Sequence, residues 1–167
     1  EGMWSFYFYD IKKKRGILCR DRFGEKPLFY YNKNGEFIFS SEIKSISKIL
    51  NKKLPINLNK IDQLLRYGYR KLYKDTNTYF KEIFEFPKAT YFIIENDKII
   101  RKNYWSFNYK KNSLTAFNDF RRIKDRLYKA IEIRLRSDFP IAFFLSGGID
   151  SNSLAFIAKK YFKYDVK

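Results

Sequence analysis

Phe139-Pro140-Ile141-Ala142-Phe143-Phe144-Leu145, running into Ser146-Gly147-Gly148-Ile149-Asp150-Ser151, is the stretch on which the reading of this chain turns. The first seven residues are apolar throughout, the pattern of a strand buried on both faces of a parallel sheet, and Pro140 sits near its start, where a missing N–H is tolerated. Beyond the glycines, Leu154, Ile157, Ala158 and Tyr161 recur at helical spacing. That spacing predicts a helix from about Ser151 to Phe162 with one core-facing stripe. The glycines then lie at a helix N-terminus, where backbone N–H groups lack intrahelical partners and the peptide dipoles leave partial positive charge. Such a turn suits anionic phosphate. Gly147 and Gly148 let the backbone take positive φ and approach an anion closely, and Ser146 and Ser151 add hydroxyl donors. Asp150 has two readings: a Mg²⁺ contact that relieves its repulsion from phosphate, or a plain helix cap.

The turn is not a Walker A loop, because no lysine follows the glycines. S-G-G-x-D-S resembles instead the PP-loop of the ATP pyrophosphatases, which cleave ATP between the α and β phosphates and adenylate a carboxylate or carbonyl oxygen. The loop alone does not choose among them. Upstream, Gly2-Met3-Trp4-Ser5-Phe6, Arg20-Asp21-Arg22-Phe23-Gly24-Glu25-Lys26-Pro27-Leu28-Phe29-Tyr30-Tyr31 and Ser40-Ser41-Glu42-Ile43-Lys44-Ser45 resemble the second half of a class II glutamine amidotransferase domain. Tyr67-Gly68-Tyr69, Thr78, Phe86-Pro87 and Tyr104-Trp105 continue the pattern in register. With the S-G-G-x-D-S loop after them, the order is similar to that of the glutamine-hydrolysing asparagine synthetases over essentially the whole chain.

The resemblance implies an α+β then α/β protein: the C-terminal half of an Ntn-type sheet sandwich over 1–107, a linker at 108–112, and from 113 to 167 the first helix-strand-loop-helix of a PP-loop parallel-sheet domain. It implies an ATP- and Mg²⁺-dependent ligase making asparagine from aspartate through a β-aspartyl-AMP intermediate, with ammonia from glutamine. Leu145, Ser146, Gly147, Gly148, Asp150 and Ser151 are the ATP-binding residues so implied, with Asp150 toward the metal. Arg20, Asp21, Ser41 and Glu42 are assigned to the domain interface or ammonia path; the residue types around Gly24 and Pro27 also describe a loop whose shape is fixed by Arg–carboxylate pairing. A relative amidating another carboxylate, in surface polysaccharide or peptide synthesis, fits the same motifs.

The family's N-terminal nucleophilic cysteine has no counterpart here, so no catalytic residue is assigned and the chain is expected to be an internal fragment, inactive in asparagine synthesis. Cys19, the one cysteine, lies in the apolar run Gly16-Ile17-Leu18-Cys19 of a chain without histidine. It reads as a small buried hydrophobe. A single cysteine, no apolar run approaching about 20 residues and no signal layout give the expectation of a cytoplasmic protein without a membrane partner. The partners expected are small molecules, with a homo-oligomer left open. Thirty-five basic against 18 acidic residues give a net charge of +17, a value found in nucleic-acid binders. The cations nevertheless spread over turns (Lys12-Lys13-Lys14-Arg15, Lys52-Lys53, Lys110-Lys111) and along a helix (Arg121, Arg122, Arg126, Arg134, Arg136) rather than forming one patch.

Periodicity places the remaining elements. Strands are predicted over Met3 to Tyr9 and up to Arg20, and hairpins around Asn34-Gly35 and Asn96-Asp97. A short helix opens at Glu42 with Ile43, Ile46 and Leu50 on one face; a second follows Asn57 or Asn59 and buries Ile61, Leu64 and Leu65. A long helix capped by Ser113 or Thr115 carries Phe120, Ile123, Leu127, Ile131 and Leu135 as a stripe expected to pack on a sheet.

Overall fold

The computed structural model describes residues 2–71, 74–108 and 116–165. The chain divides into two compact units, Glu1–Asn108 and Tyr109–Lys167. Its architecture is α+β, with antiparallel sheets and four α-helices among the described residues.

In the first unit, β1 (Ser5–Asp10), β2 (Arg15–Arg20), β6 (Thr90–Glu95) and β7 (Lys98–Asn103) form one sheet in the order β1-β2-β6-β7. β3 (Phe29–Lys33), β4 (Glu36–Ser40) and β5 (Ile83–Glu85) form a second, ordered β4-β3-β5. Both hairpins close where the turn residues require it: Asn34 and Gly35 have φ of 56° and 78°, and Asn96 and Asp97 have 50° and 59°, the left-handed pair that matches strand twist.

The two-residue period of a strand sorts the second sheet's side chains. Tyr30, Phe37 and Phe39 turn toward Leu18 and Phe92 of the first sheet, joined by Leu28 and Phe86; the Tyr30 and Phe92 rings are 5.5 Å apart and those of Phe86 and Phe92 4.4 Å. Phe29, Tyr31 and Ile38 face the other way, onto α1 (Ile43–Leu50), where Ile46 is fully buried with Leu54 and Ile83. Sheet two is thus covered on both faces, and its alternation of apolar residues at every position follows from that. β1 differs: Phe6, Tyr7, Phe8 and Tyr9 are all exposed, whichever way they point.

α2 (Leu58–Tyr67) is capped by Asn57, whose side chain accepts from the Lys60 N–H. Its buried residue is not one of the expected leucines. Leu65 is exposed, Ile61 and Leu64 are half-buried, and Lys60 is 4% exposed, its Nζ 2.9 Å from Asp75 Oδ1. Hydrogen bonding from Lys60 holds the Asp75 carboxyl below its ordinary value despite the opposing effect of burial. Asp75→Ala is expected to cost about 1–2 kcal/mol in urea unfolding, less than a fully enclosed pair because the Asp75 side chain keeps solvent contact.

In the second unit, α3 (Ala116–Arg134) and α4 (Ile149–Phe162) pack on each other around Ile131, Ile157 and Ala158, with Tyr128, Leu135, Phe143 and Phe162 at the margin. The stripe of α3 is used only at its C-terminal end, since Phe120 and Ile123 are exposed, and its partner is α4 rather than a sheet. The expected caps Ser113 and Thr115, and residues 109–112 of the expected linker, lie outside the described residues.

The predicted strand Phe139–Leu145 is corrected by the structure. The segment is not a strand, and Phe139, Phe144 and Leu145 are exposed. A strand is a property of a pair, because its N–H and C=O groups need a ladder, and none of the described residues pairs with this one. Ile141 is instead fastened by its N–H to the Tyr164 hydroxyl at 2.9 Å. α4 also begins at Ile149, two residues before the expected Ser151. Tyr128 and Tyr161 meet with rings 4.7 Å apart, and the hydrogen bond between them pushes the Tyr128 phenol up to about 12.

Candidate functional site

The Ser146–Ser151 turn is solvent-open, with residues 144–150 exposed and Ser151 half-buried. Gly147 has φ +82°, a conformation that an L-residue enters only with strain, and a Cβ there would meet nothing within 4 Å. Gly148 departs from expectation. Its φ of −76° and ψ of 159° are ordinary extended backbone that does not require glycine, and a Cβ there would stand 3.4 Å from Ser146 Oγ.

Two serines fix the turn. The Ser151 hydroxyl donates to the Gly148 carbonyl at 3.2 Å and accepts the Ser146 N–H at 3.2 Å, and the two hydroxyls are 3.1 Å apart. Gly148 N–H reaches Ser146 Oγ at 3.4 Å. The first helical bond is Asn152 N–H to Gly148 C=O at 3.2 Å. The N–H groups of Ser146 and Gly148 are therefore engaged, whereas those of Gly147, Ile149, Asp150 and Ser151 have no acceptor among the described residues. Asp150 lies in the first turn of α4, its carboxylate likewise without an ion-pair partner among the described residues.

The Arg20–Pro27 segment is built as a buried knot. Asp21 is 1% exposed, and its carboxylate accepts four backbone N–H groups: Trp4 at 3.3 Å, Phe23 at 3.1 Å, Glu25 at 2.9 Å and Lys26 at 3.0 Å. Burial raises its pKa, but the amides of Glu25, Lys26, Phe23 and Trp4 together bring it below the ordinary value. Arg20, 4% exposed, donates to the carbonyls of Lys26 at 2.7 Å, Gly24 at 2.7 Å and Phe86 at 2.6 Å, and to Glu85 Oε1 at 2.8 Å. The Arg–carboxylate pair thus reaches out of the loop to β5, 65 residues away. Gly24 has φ +70°, and a Cβ there would stand 3.1 Å from the guanidinium carbon.

Other residues of the resemblance secure the same knot. The Tyr104 hydroxyl donates to the Arg20 carbonyl at 2.8 Å, the Ala89 N–H bonds to the Asp21 carbonyl at 2.9 Å, and Arg22 lies over the Trp105 ring at 6.0 Å. Thr78, buried, joins Phe80 and Ile83 through its hydroxyl. Ser41 and Glu42 are exposed and lie apart from this arrangement: Ser41 lines a cavity of about 190 Å³ with Ser5, Leu18 and Leu28, and Glu42 pairs with Lys44 at 2.6 Å at the start of α1. Cys19 is 8% exposed and burial pushes its thiol up, which suppresses the thiolate.

Periodicity missed Lys60, Asp75, Glu82 and Glu85. Glu82 holds both Lys33 and Lys52, and Lys52, though exposed, also lies 4.9 Å from the centre of the Tyr31 ring. The sequence signal for Glu82 and Glu85 was an acid interrupting the apolar run Phe80 to Phe86.

The profile of the glutamine amidotransferase domain family matches residues 1–105, and that of the asparagine synthase family matches residues 122–167. The chain belongs to the glutamine amidotransferase domain family. Related proteins carry both regions in one chain. A Methanocaldococcus jannaschii protein provisionally named glutamine-hydrolysing asparagine synthetase 2 is 36% identical over 96% of this chain and 31% of its own length. Glutamine-hydrolysing asparagine synthetase 1 of Bacillus subtilis is 28% identical over 96% of this chain and 25% of its own. Amidase chyE of Penicillium rubens is 32% identical over 92% and 23%. The chain therefore spans about a quarter to a third of the length of these relatives. The Arg20–Pro27 knot falls within the amidotransferase match and the Ser146–Ser151 turn within the asparagine synthase match. No helix among the described residues is long and apolar enough to cross a membrane.

Proposed function

We propose that the Ser146–Ser151 turn is the pyrophosphate-binding loop of an ATP-dependent, glutamine-hydrolysing asparagine synthase, making asparagine from aspartate by way of β-aspartyl-AMP. The observation that carries this reading is the set of unpaired N–H groups at Gly147, Ile149, Asp150 and Ser151, gathered where a helix dipole begins. On this reading residues 1–107 belong to the amidotransferase portion, 108–112 to a linker and 113–167 to the synthetase portion.

In the reaction the β-carboxylate oxygen of aspartate attacks the α-phosphorus of ATP and the bond to the β-phosphate oxygen breaks, releasing pyrophosphate. Ammonia then displaces AMP from the acyl carbon. Negative charge builds on the departing pyrophosphate, and fixed donors aimed at that charge lower the barrier because they need no reorganisation. Gly147, Ile149, Asp150 and Ser151 supply backbone donors, Ser146 and Ser151 hydroxyls, and Leu145 backbone beside the nucleotide. A Mg²⁺ ion, when bound, neutralises phosphate charge; the exposed Asp150 carboxylate is the residue placed to hold it. Arg20 and Asp21 shape the loop they belong to, and through it the face toward the domain interface or ammonia path, to which Ser41 and Glu42 are also assigned.

The test is calorimetric titration of the chain with ATP and Mg²⁺. Gly148→Val puts bulk in front of the loop without backbone strain, and is expected to raise Kd at least ten-fold, about 1.4 kcal/mol. Equal affinity of the two proteins would overturn the reading. The likeness to the fungal amidase favours a second reading, in which the amidated carboxylate is not that of aspartate. Supplying candidate carboxylic acids to the protein that carries this chain and following pyrophosphate release separates the two.

A further inference from the structure

A cleft of about 460 Å³ opens on the first unit beside the Arg20 knot, with Arg20, Lys74, Asp75, Glu85, Lys88 and Arg101 among its lining residues. Its charges do not balance. Glu85 is taken by Arg20 at 2.8 Å and Asp75 by Lys60 at 2.9 Å, both cations being nearly buried. Lys74, Lys88 and Arg101 then remain with no carboxylate partner among the described residues. Asn103 also lines the cleft, its side-chain amide 3.0 Å from the buried Thr90 hydroxyl, which donates to the Lys88 carbonyl at 2.9 Å.

Three cations in one concave site repel one another, and in a partly enclosed cleft that repulsion is less screened than on open surface. A bound anion removes it. A carboxylate offsets one charge, whereas a phosphoryl dianion offsets two and presents three oxygens to the planar fork of Arg101 and the point charges of Lys74 and Lys88. The volume is in the range of small-molecule sites and exceeds what phosphate alone occupies. We propose that this cleft is a binding site for a phosphoryl dianion, held by Lys88 and Arg101 with Lys74 and Asn103 at its rim. The proposal is independent of the reading of the Ser146–Ser151 turn.

The experiment titrates the full chain with inorganic phosphate, ribose 5-phosphate and succinate, following ³¹P line widths for the first two and calorimetry for all three. Arg101→Ala and Lys88→Ala are each expected to raise Kd for the phosphates about ten-fold. Gly148→Val should leave it unchanged, which keeps this site apart from the proposed nucleotide loop. All the substituted positions are exposed, and tryptophan emission checks that the first unit remains folded. Tighter binding of ribose 5-phosphate assigns the site to a phosphorylated metabolite and equal binding to free phosphate; both support it. Unchanged affinity in the Lys88→Ala, Arg101→Ala double variant, loss of binding through Gly148→Val alone, or succinate bound as tightly as the phosphates would overturn it.

Discussion

Asp21→Ala is expected to lower the urea-unfolding free energy of the first unit by about 3–4 kcal/mol, the sum of one lost charge-assisted network and the donors it strands. The carboxylate accepts the N–H groups of Trp4, Phe23, Glu25 and Lys26, and at 1% exposure water cannot take its place without opening the loop. Both tryptophans, Trp4 and Trp105, lie in this unit, so intrinsic emission reports its unfolding directly. The same carboxylate sets a pH dependence. Its folded pKa lies below the unfolded value of 3.8, so its contribution is complete above that value and is lost as pH falls through the lower, folded pKa. Acid titration of the wild type should therefore show an unfolding component that Asp21→Asn lacks. A variant within about 0.5 kcal/mol of wild type at neutral pH would show that the loop's shape is held elsewhere.

Arg20→Met is expected to cost a similar amount, about 3–4 kcal/mol, although methionine replaces much of the volume. The guanidinium is the donor for three carbonyls and Glu85, and its removal leaves the Lys26, Gly24 and Phe86 oxygens without that partner. Arg20→Lys should recover less than half of the loss, because a single ammonium cannot reproduce a planar fork serving four acceptors. Glu85→Gln combined with Arg20→Met should cost less than the sum of the separate changes, since the two share one bond. Strict additivity in that cycle would remove Glu85 from the network.

How much of this was legible beforehand varies with the range of the interaction. The Asn34-Gly35 and Asn96-Asp97 turns were readable because positive φ is a requirement on the turn residues themselves. The Asn57 cap was named as one of two options for the same reason: capping is settled within three residues. Burial was less readable. Leu65 is exposed and Lys60 buried on one helix, because Asp75 lies where the buried face looks, and nothing in the spacing of Leu58–Tyr67 reports that. Likewise the Arg20–Pro27 segment announced a constrained loop, but its ion-pair partner came from β5, and the four amides that converge on Asp21 include one from Trp4, before β1.

The six-residue turn at 146–151 divides along the same line. Its composition alone determined a glycine-bearing bend at the head of a helix, and with the motifs upstream it determined the family, since both depend on residue identity and order along the chain. Tertiary structure decided that Gly147, not Gly148, is the left-handed residue, which of the loop's amides are already used by Ser146 and Ser151, and that the apolar run before it is not a strand. The reason is physical: turns and caps are satisfied by neighbours in sequence, whereas ladders, buried charges and open clefts exist only when distant segments arrive at the same place.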